Sequence, residues 1–384
     1  MNTFKFVGKI KKIEDKKDKK FIETVTFDSG WMIERVKFRV DCGECSGFVD
    51  LSGGKFKDDS KNVIYTQQIK AGATNKRDVE NVQIAWADRF DPAIIEKIPN
   101  YRRYTVDLAS DKIREALVDA KKEDEAAELS KQKHSYISTY DFAKKVEEII
   151  LADGFGEDNY VVTGTIEYSY SNKKDDGGKY FRSFVPTNIY KASDKDTPGL
   201  FGKIDFYYDR DNAVGEEMED GNTPISGYMQ FYERMSKQNY YVETGLVLKK
   251  DNPIKNGLIN TLTKLGDMES PISVVGVNVT FFEGTPKTEI NIEDLSDEQK
   301  QMLEWGVKTM DDIRAEMGNA VYGDRVSYIY LDGLSRGYAN GPQATEVDME
   351  TLQAKPTGER TTKNTTTTKT SAKKFDLFSD EDDI

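Results

Sequence analysis

The stretch "FKFVGKIKKI", residues 4–13, reads as a β-strand with two unlike faces and a flaw in the middle. Alternation puts Phe4, Phe6 and Ile10 on one side and Lys5, Lys9 and Lys11 on the other, as in a strand with one face in a core and the other in water. Gly8 interrupts the pattern. A glycine inside a strand weakens it unless the strand must bend sharply, as the first strand of a small five-stranded closed barrel does. The stretch "VTGTI" at 162–166 again sets a glycine between apolar residues. Each glycine strand is followed by a charged hairpin, "EDKKDKK" or "NKKDDGGK", and then by another strand. The spacing therefore predicts two barrels, each opening on its own glycine strand.

Around the first glycine strand lie further short runs rich in β-branched and aromatic residues: 20–28, 31–40, 47–51, 62–69 and 81–87. Residues 110–130 are good helix formers. "STYDFAKKVEEIILADG" carries Phe142, Val146, Ile149 and Ile150 on one face, with Ser138 as N-cap and Gly154 just past the end. A second strand-rich block covers 160–250, with a short helix near 253–266, a strand at 272–284, and a helix at 297–317 opened by the capping box Ser296 to Gln299. The expected division is a β domain at 1–109, a helical connector at 110–155, a second β-rich domain at 156–340, a disordered linker at 341–374 and an acidic tip at 375–384. The fold class is mainly β with helical insertions.

The 384 residues are 37 % apolar and 32 % charged, with 20 Tyr and 19 Phe, which is globular and unusually aromatic. A net charge of −13 argues against nucleic acid until the charges are located. Residues 1–40 hold eleven Lys/Arg against six Asp/Glu, residues 354–374 six against one, and the final ten residues five acids. The chain is segregated into a basic start, an acidic middle, a basic tether and an acidic tip. Cys42, Cys45 and the single His134 supply at most three soft ligands where structural zinc takes four, so no metal or other cofactor is expected. No phosphate loop is present, and His134 has no nucleophile beside it, so the chain is not expected to be an enzyme. The start lacks the apolar core of a signal peptide and no run approaches a membrane span, which implies a cytoplasmic protein.

Binding chemistry is better represented. In "WMIERVKFRV" a period of two sets Met32, Val36, Phe38 and Val40 against Trp31, Ile33, Arg35, Lys37 and Arg39. One face is core; the other is a ring beside three cations. Lys5, Lys9 and Lys11 repeat that logic, "YRRY" places Tyr101, Arg102, Arg103 and Tyr104 together, and Trp86 adds a second indole. Cations along a groove suit phosphates, and exposed rings stack unpaired bases almost regardless of sequence, at about 1–3 kcal/mol per base. These twelve residues are the candidate single-stranded nucleic-acid site. The second β block keeps the rings without the charge, so many of its aromatics are expected in the core.

The end of the chain, "KKFDLFSDEDDI", follows a Thr- and Lys-rich tether too polar to fold. Strand-rich basic and aromatic domains, a low-complexity tether and an acidic tip with apolar residues together resemble phage and bacterial single-stranded DNA-binding proteins of the OB-fold type. The resemblance implies two small OB-like barrels in tandem and a tip that competes with DNA and recruits replication and recombination proteins. The matching tip residues are Phe375, Phe378, Asp380, Glu381, Asp382, Asp383 and Ile384. The bacterial tip ends in Asp residues followed by Pro-Phe, whereas here the aromatics precede the acids, a departure that fits a phage protein with its own partners. Two other readings stand beside it: an acidic protein that mimics DNA, and a metal-dependent nuclease built on Asp205, Asp209 and Asp211.

Overall fold

The computed structural model describes residues 2–356 apart from 18–19, 44, 76, 172–177, 235, 264–271, 285–294, 311, 314–325 and 336–340. The tip residues from Phe375 to Ile384, and residues 357–374 before them, lie outside the described residues; the described part of the expected disordered linker, 341–356, instead holds a short strand at Gln343–Ala344 and a helix at Met349–Gln353. In chain order the first half reads β1 (Thr3–Lys12), β2 (Ile22–Thr26), β3 (Trp31–Asp41), β4 (Ser46–Phe56), β5 (Val63–Ile69), β6 (Val79–Ala85), α1 (Pro92–Lys97), β7 (Tyr104–Asp107), α2 (Asp111–Asp119), α3 (Glu123–Ser130), β8 (Lys133–Tyr136), α4 (Thr139–Leu151), β9 (Asn159–Ser171) and β10 (Lys179–Lys191). The second half follows with β11 (Gly199–Asp209), β12 (Thr223–Glu233), β13 (Gln238–Leu248), α5 (Lys255–Thr263), β14 (Ile272–Gly284), α6 (Asp297–Glu304), β15 (Val326–Leu334), β16 (Gln343–Ala344) and α7 (Met349–Gln353).

Five strands of the second half close on themselves in the order β11-β12-β13-β15-β14 and back to β11, with β13 and β15 parallel and the other pairs antiparallel. Numbered within the barrel this is 1-2-3-5-4-1, the Greek-key ring of an OB barrel. The first half repeats it. β1 pairs β3, β3 pairs β4, β1 pairs β9 and β9 pairs β10, and β4 lies against β10 to complete the ring. In both rings a helix precedes the fourth strand, α4 in the first and α5 in the second. The protein is thus mainly β, with two OB-like barrels in tandem and helical insertions.

The barrels are divided differently from the sequence expectation. β9 and β10 were assigned to the second domain, yet β9 pairs β1 from Thr3↔Thr165 to Lys9↔Asn159, so hydrogen bonds cross both expected boundaries, at 109 and at 156. "VTGTI" therefore belongs to the fourth strand of the first barrel. The second barrel opens instead on "LFGKI" at 200–204, which repeats "FVGKI" at 6–10 with Gly202 in the place of Gly8. The helix expected as a connector, α4, buries Phe142, Val146, Ile149 and Ile150 against the first barrel's core. Its Ser138 Oγ accepts the Asp141 N–H at 3.3 Å and the Gly154 N–H closes its end on Ile149 O at 2.7 Å, as the caps foretold. The expected helix at 110–130 is two helices, broken where Lys121 takes φ 59°. The helix expected over 297–317 keeps its capping box but ends at Glu304, before Gly306 at φ 66°. β5 and β6 were expected among the barrel strands; they form a separate hairpin whose Ile64, Val82 and Ile84 pack on Ile94, Ile95, Ile98 and Ile137.

β1 belongs to the first ring and also ties it to the second. Residues 3–7 pair β9 on one side and β11 on the other, and residues 9–12 turn away to pair β3. The turn falls at Gly8, where a side chain would run into the Asp41 carbonyl, so the bend read from the sequence is present and requires glycine. Buried rings continue across the junction, with Phe6 4.7 Å from Phe184, and Phe184 5.1 Å from Phe281 of the second barrel. A single apolar core runs through both barrels.

Gly164 is held still more tightly, because a methyl group there would overlap the Val185 carbonyl of the neighbouring strand. Gly164→Ala is expected to cost about 1–3 kcal/mol through forced backbone shifts. Gly245→Ala is the control, since nothing lies within 4 Å of its added carbon. Thermal denaturation in which both variants melt alike would show that the first barrel tolerates the displacement.

Candidate nucleic-acid interface

β3 delivers its side chains as the period of two requires. Val36, Phe38 and Val40 are in the core, and Trp31, Ile33, Arg35, Lys37 and Arg39 share the outer face. Register extends that face sideways: Lys11 is opposite Arg39, which is opposite Phe48, while Lys37 is opposite Asp50 and Arg35 lies between Glu23 and Ser52. These are the first three strands of the barrel, and the second and third form the surface on which OB folds bind oligonucleotides.

Each cation on the face already has an acid. Lys37 Nζ lies 2.8 Å from Asp50, Arg35 3.2 Å from Glu23, Arg39 3.5 Å from Asp41, and Lys9 and Lys11 grip Glu157 at 2.7 and 2.5 Å. The Lys11 and Lys9 hydrogen bonds hold the Glu157 carboxyl down at about 2. Exposed pairs of this kind are worth about 0–1 kcal/mol, so a phosphate oxygen can take the place of a carboxylate at little cost. Five cations face four acids here. Lys5 stands apart, paired with Asp196 at 2.8 Å beside the passage from β10 to β11.

The rings divide. Trp31 lies edge-to-face on Phe56 with centroids 4.9 Å apart and half-covers Gly54. Phe48 was not singled out in the sequence, yet it occupies the middle of the face with Lys37 Nζ 5.8 Å from its centroid. Alternation in "GFVDL" carries the signal: Val49 and Leu51 point inward, so Phe48 and Asp50 point outward.

Trp86 must be withdrawn from the site, because it is 6 % exposed, with the Arg89 guanidinium 4.2 Å from its ring. It begins a short 3₁₀ turn after β6, where strand alternation no longer applies. "YRRY" is split in the same way. Tyr104 is partly buried, stacked on the core residue Phe142 at 5.6 Å, and burial raises its phenol pKa. Arg103 is half-buried against Asn100, and burial lowers its pKa. Tyr101, 61 % exposed, and Arg102 remain on the surface, both bonded to Gln67 of the β5–β6 hairpin, at 3.1 and 3.4 Å.

Of the residues weighed for a nuclease, Asp205 lies in the middle of β11, while Asp209 and Asp211 lie at the turn that follows it. Asp209 accepts the Asp211 N–H at 3.1 Å and the Asn212 amide at 2.7 Å. Among the described residues no group of three His, Cys, Asp or Glu side chains is arranged to hold a metal, and no helix is long and apolar enough to cross a membrane. Cys42 and Cys45 close the β3–β4 hairpin with sulfurs 2.6 Å apart. In the second barrel Phe206, Tyr208 and Phe231 are core, as the acidic surroundings suggested, while Tyr232 stays 48 % exposed.

No family model matches the chain, and no curated protein matches it in sequence. Among solved structures it is similar to the wild-type single-stranded DNA binding protein from Thermus aquaticus, at 8 % identity and a TM-score of 0.29 over 74 % of this chain and 86 % of that one. A deletion mutant of the same Thermus protein gives 8 % and 0.28 over 74 % and 87 %. A superposition this loose adds nothing to the strand order, which establishes the fold by itself.

Proposed function

We propose that the chain binds single-stranded DNA, sequence-tolerantly, on the outer face of β1, β3 and β4. The observation that carries this reading is the meeting of Lys9, Lys11, Arg35, Lys37 and Arg39 with Phe48 and Trp31 on the strands that an OB barrel uses for oligonucleotides. Phosphates would exchange with Asp50, Glu23, Asp41 and Glu157 for the cations while bases stack on the rings. Tyr101 and Arg102 would extend the path along the hairpin. Coating of single strands during replication and recombination, with partner proteins recruited through Phe375, Phe378, the acids Asp380 to Asp383 and Ile384, completes the proposal.

Titration of a dT oligonucleotide at several salt concentrations tests it, with duplex and RNA as comparisons. Each phosphate contact on a single strand contributes about −0.7 to the log–log salt slope, so two to four contacts predict a slope of about −1.5 to −3. Binding that ignores salt, or that favours duplex, overturns the proposal. Glu157→Gln sharpens the test by releasing Lys9 and Lys11 together. It is expected to tighten binding several-fold at low salt and to steepen the slope by up to about 1.4. Changing pH cannot substitute for the mutation, because a carboxyl held at about 2 stays ionised throughout the neutral range.

A further inference from the structure

The second barrel has a surface equivalent to the proposed binding face, and the chain covers it with its own C-terminal segment. Setting Gly202 on Gly8 places Phe206 on Lys12 and Asp205 on Lys11. The registers then carry Phe38 to Met229, Lys37 to Tyr228 and Arg39 to Gln230, and across the next pair Phe48 to Tyr241 and Asp50 to Glu243. Tyr241 therefore stands where Phe48 stands. It is 6 % exposed, with the Tyr207 ring edge-on at 5.0 Å, and Val347, Met349 and the fully buried Leu352 pack over it together with Tyr228 and Ile272.

We infer that residues 343–352 are a displaceable cover over a second single-stranded DNA face formed by Tyr207, Tyr228 and Tyr241. This rests on the function proposed above and deepens it. The cover imitates a nucleotide strand. Val347 and Met349 turn toward the rings as bases would, whereas Glu346, Asp348 and Glu350 are exposed as phosphates would be. It is also lightly held: β16 pairs β14 over only Gln343↔Val274 and Ala344↔Ser273, and α7 is five residues long, capped by Asp348 on the Thr351 N–H at 2.7 Å. A helix this short has no stability of its own, so its place depends on three apolar side chains that stacked bases can replace.

The two faces differ in charge. The positions of Lys11, Lys37 and Arg39 hold Asp205, Tyr228 and Gln230, so occupancy of the second face adds stacking and almost no phosphate neutralisation. Uncovering it is therefore expected to raise affinity and footprint without steepening the salt dependence.

The full chain carrying Met349→Ser with Leu352→Ser is compared with wild type in titrations of dT oligonucleotides of graded length. The expected result is about tenfold tighter binding to long oligonucleotides, a footprint larger by about 4 nucleotides or more, an unchanged salt slope, and loss of the gain when Tyr241→Ala is added. A folded variant with wild-type footprint and affinity overturns the cover while leaving the first face intact. Wild type that binds no single strand at any salt concentration overturns both. Should the double variant not fold, hydrogen exchange on the unmodified chain decides. Amides of residues 343–353 are expected to exchange faster at saturating long dT oligonucleotide, and unchanged or slower exchange refutes displacement.

Discussion

Alanine at Phe48, Lys37 and Arg39 together is expected to weaken binding of a dT oligonucleotide by about a hundredfold or more at low salt. One stacked base is worth about 1–3 kcal/mol, which alone is about 5- to 150-fold. Two lost phosphate contacts remove about 1.4 from the log–log salt slope, so the deficit should shrink as salt rises. The fold should survive, because these side chains lie across the strands from the Val36, Phe38, Val49 and Leu51 core and their ion pairs are partly exposed. Anisotropy titration at three salt concentrations, with a melting curve for each protein, checks both statements. A variant that melts like wild type and binds like it would mean that the face is merely solvated.

The largest effect on stability is expected from Lys144→Met. Glu34 sits on the inward side of β3, completely buried, with Lys144 Nζ of α4 at 2.6 Å and the Thr24 hydroxyl donating at 2.7 Å. Burial would lower the Lys144 pKa, but hydrogen bonds and charge from Glu147 and Glu34 outweigh it and the net direction is strongly upward. Removing the lysine strands a buried carboxylate, at a cost of about 3 kcal/mol, the lower end of the usual range because Lys144 is about one-third exposed. Glu34→Gln added to Lys144→Met should recover part of the loss, which identifies the unpaired charge as its cause. A raised lysine pKa stabilises the folded state at every pH below the unfolded value of about 10.4, and that contribution fades only as pH climbs through the folded value. Urea unfolding at pH 7 and pH 9 should thus show the same difference between wild type and Lys144→Met.

Glu34 also shows where reading the sequence stops. Alternation placed Arg35, Lys37 and Arg39 outward correctly, and the same parity puts Glu34 inward. Its partner is 110 residues away on α4, and no local pattern reveals it. The acids that neutralise the cationic face are similarly hidden, since Asp50 and Glu23 reach Lys37 and Arg35 only through cross-strand register. Trp86 and Tyr104 were misplaced because residue type alone selected them, with no strand alternation to orient either; Trp86 opens the 3₁₀ turn at 86–88 and Tyr104 follows the one at 100–102. The barrel boundaries failed for a topological reason. Residues 57–138 are inserted between the third strand and the helix of the first barrel, so the last two strands of that ring follow a break that looks like the end of a domain. The glycine strand itself was legible, since its bend is a local steric demand, and the true repeat, "GKI" at 8–10 and 202–204, was present in the same letters.

Because β1 hydrogen-bonds to β9 and β11 at once, the opening strand of the first barrel is also an outer neighbour of the second. Cutting the chain between residues 191 and 199 would not yield two proteins. The N-terminal piece would keep β1 but expose the edge at residues 3–7, an open row of donors and acceptors that invites other chains to pair with it. The C-terminal piece would lose a neighbour along Gly199–Lys203 and the Phe6 ring that packs on Phe281. The two barrels are therefore expected to melt as one cooperative unit.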